Sequence, residues 1–446
     1  MRILIHRAEI INEGQRYKGS LLIEDDIIRS VYKPDNKISI PADTEVIEAD
    51  GLTLIPGIID EHVHFREPGL THKADMESES IAALAGGITS IMEMPNTIPQ
   101  TTSLQALREK QDLAAQRCLC NYSFYLGAAN DNIEDILAAD PETTCGIKVF
   151  MGASTGNMLV DDPDTLRRIF RESPVPVGCH CEEEEIIKKN LAVYKERYGG
   201  DIPASAHPAI RSREACFESS SKAVKLAAMH NTRLHVLHIS TADEMELFDR
   251  GTPEHKKITA EVCVHHLWFD DTAYREKGNL VKWNPAIKTK DDRNALIKAV
   301  NDNRIDTIAT DHAPHTLEEK QQTYLEAPSG GPLVQHALPA MIELSKQDLI
   351  SMEKIVEKMC HNPAVIYGIK NRGYIREGYK ADLCLINMNR EWTVSKDNIL
   401  YKCGWSPFEG HTFHSLVEKT FVNGRMVYDD GSTDNSIKGE LLKFKR

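Results

Sequence analysis

The sequence predicts an α/β fold, a TIM (β/α)8 barrel carrying a small β-sandwich domain that both chain ends build together. Three observations predict it. Eight strand-like apolar runs alternate with segments of helical spacing through the middle of the chain, the signature of βα units on a parallel sheet. Both ends have a different texture, short strands separated by turn residues. The length, 446 residues, suits one large barrel plus an accessory domain.

The N-terminal part reads as strands at Ile3–Ile5, Gly19–Glu24, Ile27–Tyr32 and Glu45–Asp50, with Glu13-Gly14 and Pro34-Asp35-Asn36 as turns. The C-terminal part repeats the pattern: Ala381–Ile386, Val417–Val422, an Asn423-Gly424 hairpin turn, and Met426–Tyr428. Residues 1–53 and 371–446 are therefore assigned to the β-sandwich, and 54–370 to the barrel. The barrel runs are Leu54–Phe65, Gly87–Asn96, Tyr122–Ala128, Gly146–Met151, Val175–Cys181, Arg233–Ser240, Ile258–His266 and Ile305–His315. Helical spacing fills the intervals, for example His72–Ala85, Asp164–Arg171 and Glu214–His230.

Composition excludes several classes of function. The chain has 53 basic against 67 acidic residues, net charge -14, so no broad basic surface is available for nucleic acid or an anionic membrane. No stretch reaches the roughly 18 apolar residues of a membrane helix, and the N-terminus turns polar too early for a signal peptide. The ten cysteines follow no framework spacing, which reads as reduced thiols in the cytoplasm. Cys118-x-Cys120 and Cys179-x-Cys181 lack a second Cys/His pair at finger spacing.

Barrel enzymes carry their chemistry at the carboxyl ends of the strands, and those ends are rich in ligands here. In Asp60-Glu61-His62-Val63-His64-Phe65-Arg66 the period-two alternation of a strand points His62, His64 and Arg66 the same way. Two imidazoles on one inward face make a zinc site. The fourth run buries Lys148 in an apolar strand. It is either a snorkelling or ion-paired lysine, or an amine made neutral by burial that takes up carbon dioxide. The second reading is favoured: a carbamate has two oxygens and could bridge two cations. His180 and His238 close the fifth and sixth runs and suit a second metal. Asp311, in the eighth, suits a carboxylate that touches metal and shuttles a proton, with helix capping as its alternative. His235 and the pair His265-His266 are read as structural. The set of His62, His64, Lys148, His180, His238 and Asp311 gives each of two divalent ions a workable ligand shell.

With these residues in view the chain resembles the amidohydrolase superfamily, and within it the dihydroorotases. Pro56-Gly57-Ile58-Ile59-Asp60 running into His62-x-His64 is the superfamily opening, shared with hydantoinases and allantoinases. The resemblance implies a binuclear centre, with zinc as its metal and Lys148 N6-carboxylated, and a homodimer. It further implies that Arg66, Asn96 and His315 hold a substrate carboxylate, that Asn284 contacts a pyrimidine ring, and that the loop around Gly330 binds substrate through its backbone. Two departures stand out. Ser329 replaces a phenylalanine of many relatives, and Lys148, with Asp161-Asp162 further along, sits in a context closer to hydantoinases than to long bacterial dihydroorotases that use an aspartate. The expected reaction is interconversion of dihydroorotate and N-carbamoyl-aspartate. The alternatives are another cyclic amidase (dihydropyrimidinase, hydantoinase or allantoinase), or a scaffold protein of the same fold that has lost catalysis.

Overall fold

A computed structural model describes residues 1–34, 36, 38, 40–152 and 158–446. Asp35, in one expected turn, lies outside the described residues.

Eight parallel strands form the central sheet in sequence order: Ile58–Val63, Ile88–Glu93, Asn121–Gly127, Gly146–Phe150, Val177–His180, Leu234–Val236, Ile258–Cys263 and Thr307–Ala309. The eighth closes on the first where His64 N–H donates to the His312 carbonyl at 2.7 Å, making the sheet a barrel. Strands buried on both faces need no polar alternation, which is why these runs read as near-continuous apolar stretches. Helices return the chain outside the barrel, and their starts are written in the sequence. Asp75, Asp162, Ser212 and Thr289 each accept from a backbone N–H of the first turn, capping Met76–Ala85, Pro163–Glu172, Arg213–His230 and Lys290–Asn301.

Both chain ends meet in one nine-stranded mixed sheet, in which Leu383–Asn387 lies antiparallel to Leu416–Val422 on one side and to Thr53–Pro56 on the other. The Glu13-Gly14 and Asn423-Gly424 turns both place two successive residues at positive φ (51° and 69°, 50° and 76°), as a tight hairpin turn requires.

Four expected elements differ. The run Leu54–Phe65 is two strands: Thr53–Pro56 belongs to the tail sheet, and only Ile58–Val63 enters the barrel. The break falls at Gly57, where a Cβ would stand 2.1 Å from Thr89 Oγ1. An unbroken apolar run conceals such a change of sheet. The sixth and eighth strands stop at Val236 and Ala309, so His238 and Asp311 stand in the turns beyond them. The seventh strand ends at Cys263, and His265-His266 sit on a short helix, Val264–Trp268.

The C-terminal segment crosses the barrel wall at the third strand. Tyr122 N–H donates to the Glu440 carbonyl at 3.0 Å, and Leu442 N–H to the Tyr122 carbonyl at 2.8 Å. This buries Leu442 and Phe444 completely.

Candidate metal centre

His62 and His64 leave the first strand side by side, and each has its Nδ1 engaged. His62 Nδ1 lies 2.8 Å from Glu261 Oε1, and His64 Nδ1 lies 2.6 Å from Asn96 Oδ1. Both oxygens are acceptors, so both rings carry hydrogen on Nδ1 and turn a lone pair on Nε2 inward. Those Nε2 atoms stand 3.2 and 3.1 Å from one oxygen of Asp311. Burial keeps the rings neutral: His62 is pushed down to about 3, and His64 well below the ordinary imidazole range. Two imidazole lone pairs and a carboxylate oxygen therefore converge, an arrangement that a cation satisfies.

A second pair lies beside them. His180 Nδ1 is 2.9 Å from His238 Nε2, while His238 Nδ1 has no partner among the described residues. His180 Nε2 approaches Glu182 Oε2 to 3.0 Å but is not aligned for a hydrogen bond. Burial lowers both rings below the usual imidazole range. Lys148, 1% exposed, makes no hydrogen bond or ion pair among the described residues. Its Nζ has the Phe150 ring 4.9 Å away. Burial, partly opposed by Asp311 and Glu261, pushes the ammonium down to about 8. Such an amine has a substantial neutral fraction near neutral pH, the form that can react with carbon dioxide.

All six expected ligands line one cavity of about 320 Å³. Three residues of this mouth hold left-handed backbone: Arg66 (φ 67°), His238 (40°) and Asp311 (48°). Conformations of that kind cost on the order of 1–3 kcal/mol and collect at functional sites.

The expected substrate contacts line the same cavity. Arg66, 6% exposed, donates from Nε to the Pro314 carbonyl at 3.0 Å and has His315 Nε2 3.0 Å from Nη2. No carboxylate lies within ion-pairing distance of it among the described residues, and burial lowers it only to about 10, so it keeps its charge. Lys73 Nζ meets His315 Nδ1 at 3.0 Å, and burial together with Arg66 keeps that imidazole neutral. Asn96, its Oδ1 engaged by His64, has Nδ2 left to donate. Asn284 Oδ1 is buried without a partner among the described residues. Gly330 has its N–H engaged by the Lys282 carbonyl (2.8 Å) and its own carbonyl by Lys320 Nζ (2.7 Å). A Cβ there would stand 2.6 Å from the Ala313 carbonyl.

Residues read as structural stay outside the cavity lining: His265 stacks on Trp283 at 4.4 Å, and His266 Nε2 meets the Pro285 carbonyl at 3.1 Å. Sequence reading missed Glu261, which orients His62 and accepts from the His238 backbone N–H at 2.9 Å. It also missed Glu182 and Arg211, which pair beside His180. Glu182 stands two residues after His180, a spacing that could have revealed it. Arg211 comes from a long connection with no motif around it.

An amidohydrolase family model matches residues 53–427. This chain belongs to the amidohydrolase family. Among relatives of this amidohydrolase, a dihydroorotase of Pyrococcus furiosus is 33% identical over 98% of this chain and 97% of its own length. A dihydroorotase of Methanosphaera stadtmanae is 30% identical over 92% and 93%. Among solved structures, the L-hydantoinase of Arthrobacter aurescens superposes with a TM-score of 0.91 at 26% identity, covering 97% of both chains. The amidohydrolase thus carries its buried groups of His, Asp and Glu, able to hold metal, on the family's barrel. Among the described residues no helix is long and apolar enough to cross a membrane.

Proposed function

We propose that this amidohydrolase is a dihydroorotase, interconverting L-dihydroorotate with water and N-carbamoyl-L-aspartate in pyrimidine synthesis. One observation carries the choice of substrate: Arg66, a buried guanidinium with no carboxylate partner among the described residues, faces the cavity from beside the ligand histidines. An unpaired buried charge calls for a counter-ion, and a ring bearing a free carboxylate supplies one. The names of the relatives agree with this reading.

In this reading His62, His64, Lys148 as its carbamate, His180, His238 and Asp311 hold two divalent ions, with zinc suited to the imidazole and carboxylate donors. Bound there, the ions lower the pKa of water and polarise the ring amide carbonyl. Asp311 removes the proton of the attacking water and returns it to the ring nitrogen as the C–N bond breaks. Arg66, the Asn96 amide and His315 fix the carboxylate, which orients the ring and disfavours neutral rings. Asn284 accepts from the ring, and Gly330 lets its loop approach closely.

A hydantoinase reading has one specific support, Lys148 together with the likeness to the L-hydantoinase. Assaying both directions of the dihydroorotate reaction beside hydantoin, dihydrouracil and allantoin, with and without chelator, separates the two. Arg66→Ala is expected to lower kcat/KM for dihydroorotate by about 10- to 150-fold, the equivalent of about 1.5–3 kcal/mol for a charged hydrogen bond. Neutral rings turned over faster than dihydroorotate by the unaltered enzyme would sink the proposal. We further propose a homodimer in the cytoplasm, and a β domain of 1–56 with 371–446 beside a barrel of 57–370, the expected boundary at 53/54 moving because Thr53–Pro56 pairs in the tail sheet.

A further inference from the structure

Deeper in the barrel, directly behind the strand-end ligands, lies a second group of side chains able to hold a metal ion. Glu61 of the first strand, His235 of the sixth and Glu261 of the seventh are all at most 1% exposed. His235 Nε2 stands 3.8 Å from Glu61 Oε1 and 4.0 Å from Glu261 Oε2. Those separations exceed a hydrogen bond. They do suit ligand atoms around one zinc-type ion, which lie roughly 3–4 Å from one another.

The hydrogen-bond arrangement leaves this group short of positive charge. Thr259 Oγ1 donates to the Leu234 carbonyl at 3.2 Å, so it accepts from His235 Nδ1 at 2.8 Å. The ring hydrogen is therefore on Nδ1, and Nε2 presents a lone pair to the two carboxylates. Among the described residues Oε2 of Glu261 has no hydrogen-bond partner, and the Glu61 carboxylate has only the Thr307 hydroxyl within reach. Nearby hydroxyls are committed elsewhere: Tyr367 lies 2.6 Å from Tyr125, and Tyr125 reaches the Glu61 main-chain carbonyl at 3.2 Å. The Thr307 hydroxyl also lies 3.4 Å from His235 Nε2, and one hydroxyl shared between Glu61 and the imidazole cannot offset two buried carboxylates.

We propose that Glu61, His235 and Glu261 form a third divalent-metal site of zinc type, separate from the strand-end centre. One divalent ion brings two carboxylates and a neutral imidazole to zero net charge, which a monovalent ion does not. Entry comes from the opposite mouth of the barrel. A cavity of about 280 Å³ at the amino ends of the strands, lined by Arg233, Leu234, Thr259 and Lys256, reaches His235 itself. Glu261 links the two centres, using Oε1 on His62 and the His238 N–H and leaving Oε2 for the third ion. This inference does not depend on which cyclic amide is the substrate.

The test is anomalous diffraction at the zinc edge on crystals of the zinc-loaded full chain, together with zinc content by mass spectrometry. A peak at bonding distance from His235 Nε2 is expected, with Glu61→Gln holding about one zinc fewer per chain. A map without that peak overturns the proposal. So does Glu61→Gln with unchanged zinc content, the result expected if the carboxylates share a proton instead. Should Glu61→Gln fail to fold, the wild-type map and the zinc content of His235→Asn decide.

Discussion

At the scale of single residues, the site depends on which atoms lack protons. His62 and His64 are ligand-ready because an acceptor on each Nδ1 fixes the tautomer, and burial then keeps Nε2 free. Lys148 is the complementary case, a base with no partner among the described residues. Because burial lowers its pKa to about 8, the folded protein releases the proton more readily than the unfolded chain does. The charged amine thus weighs against the fold below about pH 8, and that penalty fades as pH rises toward the ordinary lysine value. Only the neutral amine adds carbon dioxide. At fixed dissolved carbon dioxide, incorporation of 13C-labelled carbon dioxide into metal-stripped protein should therefore increase as pH rises through about 8, with one carbamate fewer per chain in Lys148→Met. Incorporation that is flat across that range would remove Lys148 as the carbamate.

At the scale of elements, the mouth of the barrel is shaped by the turns and loops at the carboxyl ends of its strands. His238, Asp311 and Arg66 occupy left-handed turns, which swing side chains over the cavity that an extended strand would send elsewhere. The loop carrying Gly330 is held from beneath by Lys320, whose buried ammonium donates to the carbonyls of Lys282, Pro328 and Gly330. At Gly330 φ is 124° and the Ala313 carbonyl leaves no space for a Cβ. Gly330→Ala should destabilise the protein by about 1–3 kcal/mol in urea unfolding and raise KM for dihydroorotate more than it lowers kcat. An unchanged KM would separate this loop from substrate binding.

At the scale of the whole molecule, two distant segments complete one sheet, and the C-terminal strap fastens the barrel from outside. Leu442 and Phe444 are fully buried, and Arg446 donates to the Thr144 and Cys145 carbonyls. Burying a side chain of this size is worth about 1.5–3 kcal/mol. Deleting residues 439–446 should therefore lower unfolding stability by roughly 3–6 kcal/mol, read as an earlier urea midpoint. A midpoint that does not move would show the strap to be ornamental.

The sequence by itself determined the barrel, since periodic apolar runs and helix caps are local patterns. It also offered six ligand candidates, from imidazole, amine and carboxylate side chains near the strand ends. Tertiary structure alone decided the change of sheet at Gly57, since the close approach of Thr89 is a long-range contact that no apolar run records. It alone moved His265 and His266 onto a helix and brought Glu261 against His62 from across the barrel. A lone carboxylate within a strand gives no hint of its partner in sequence. Its role depends on which side chains the closed barrel places around it.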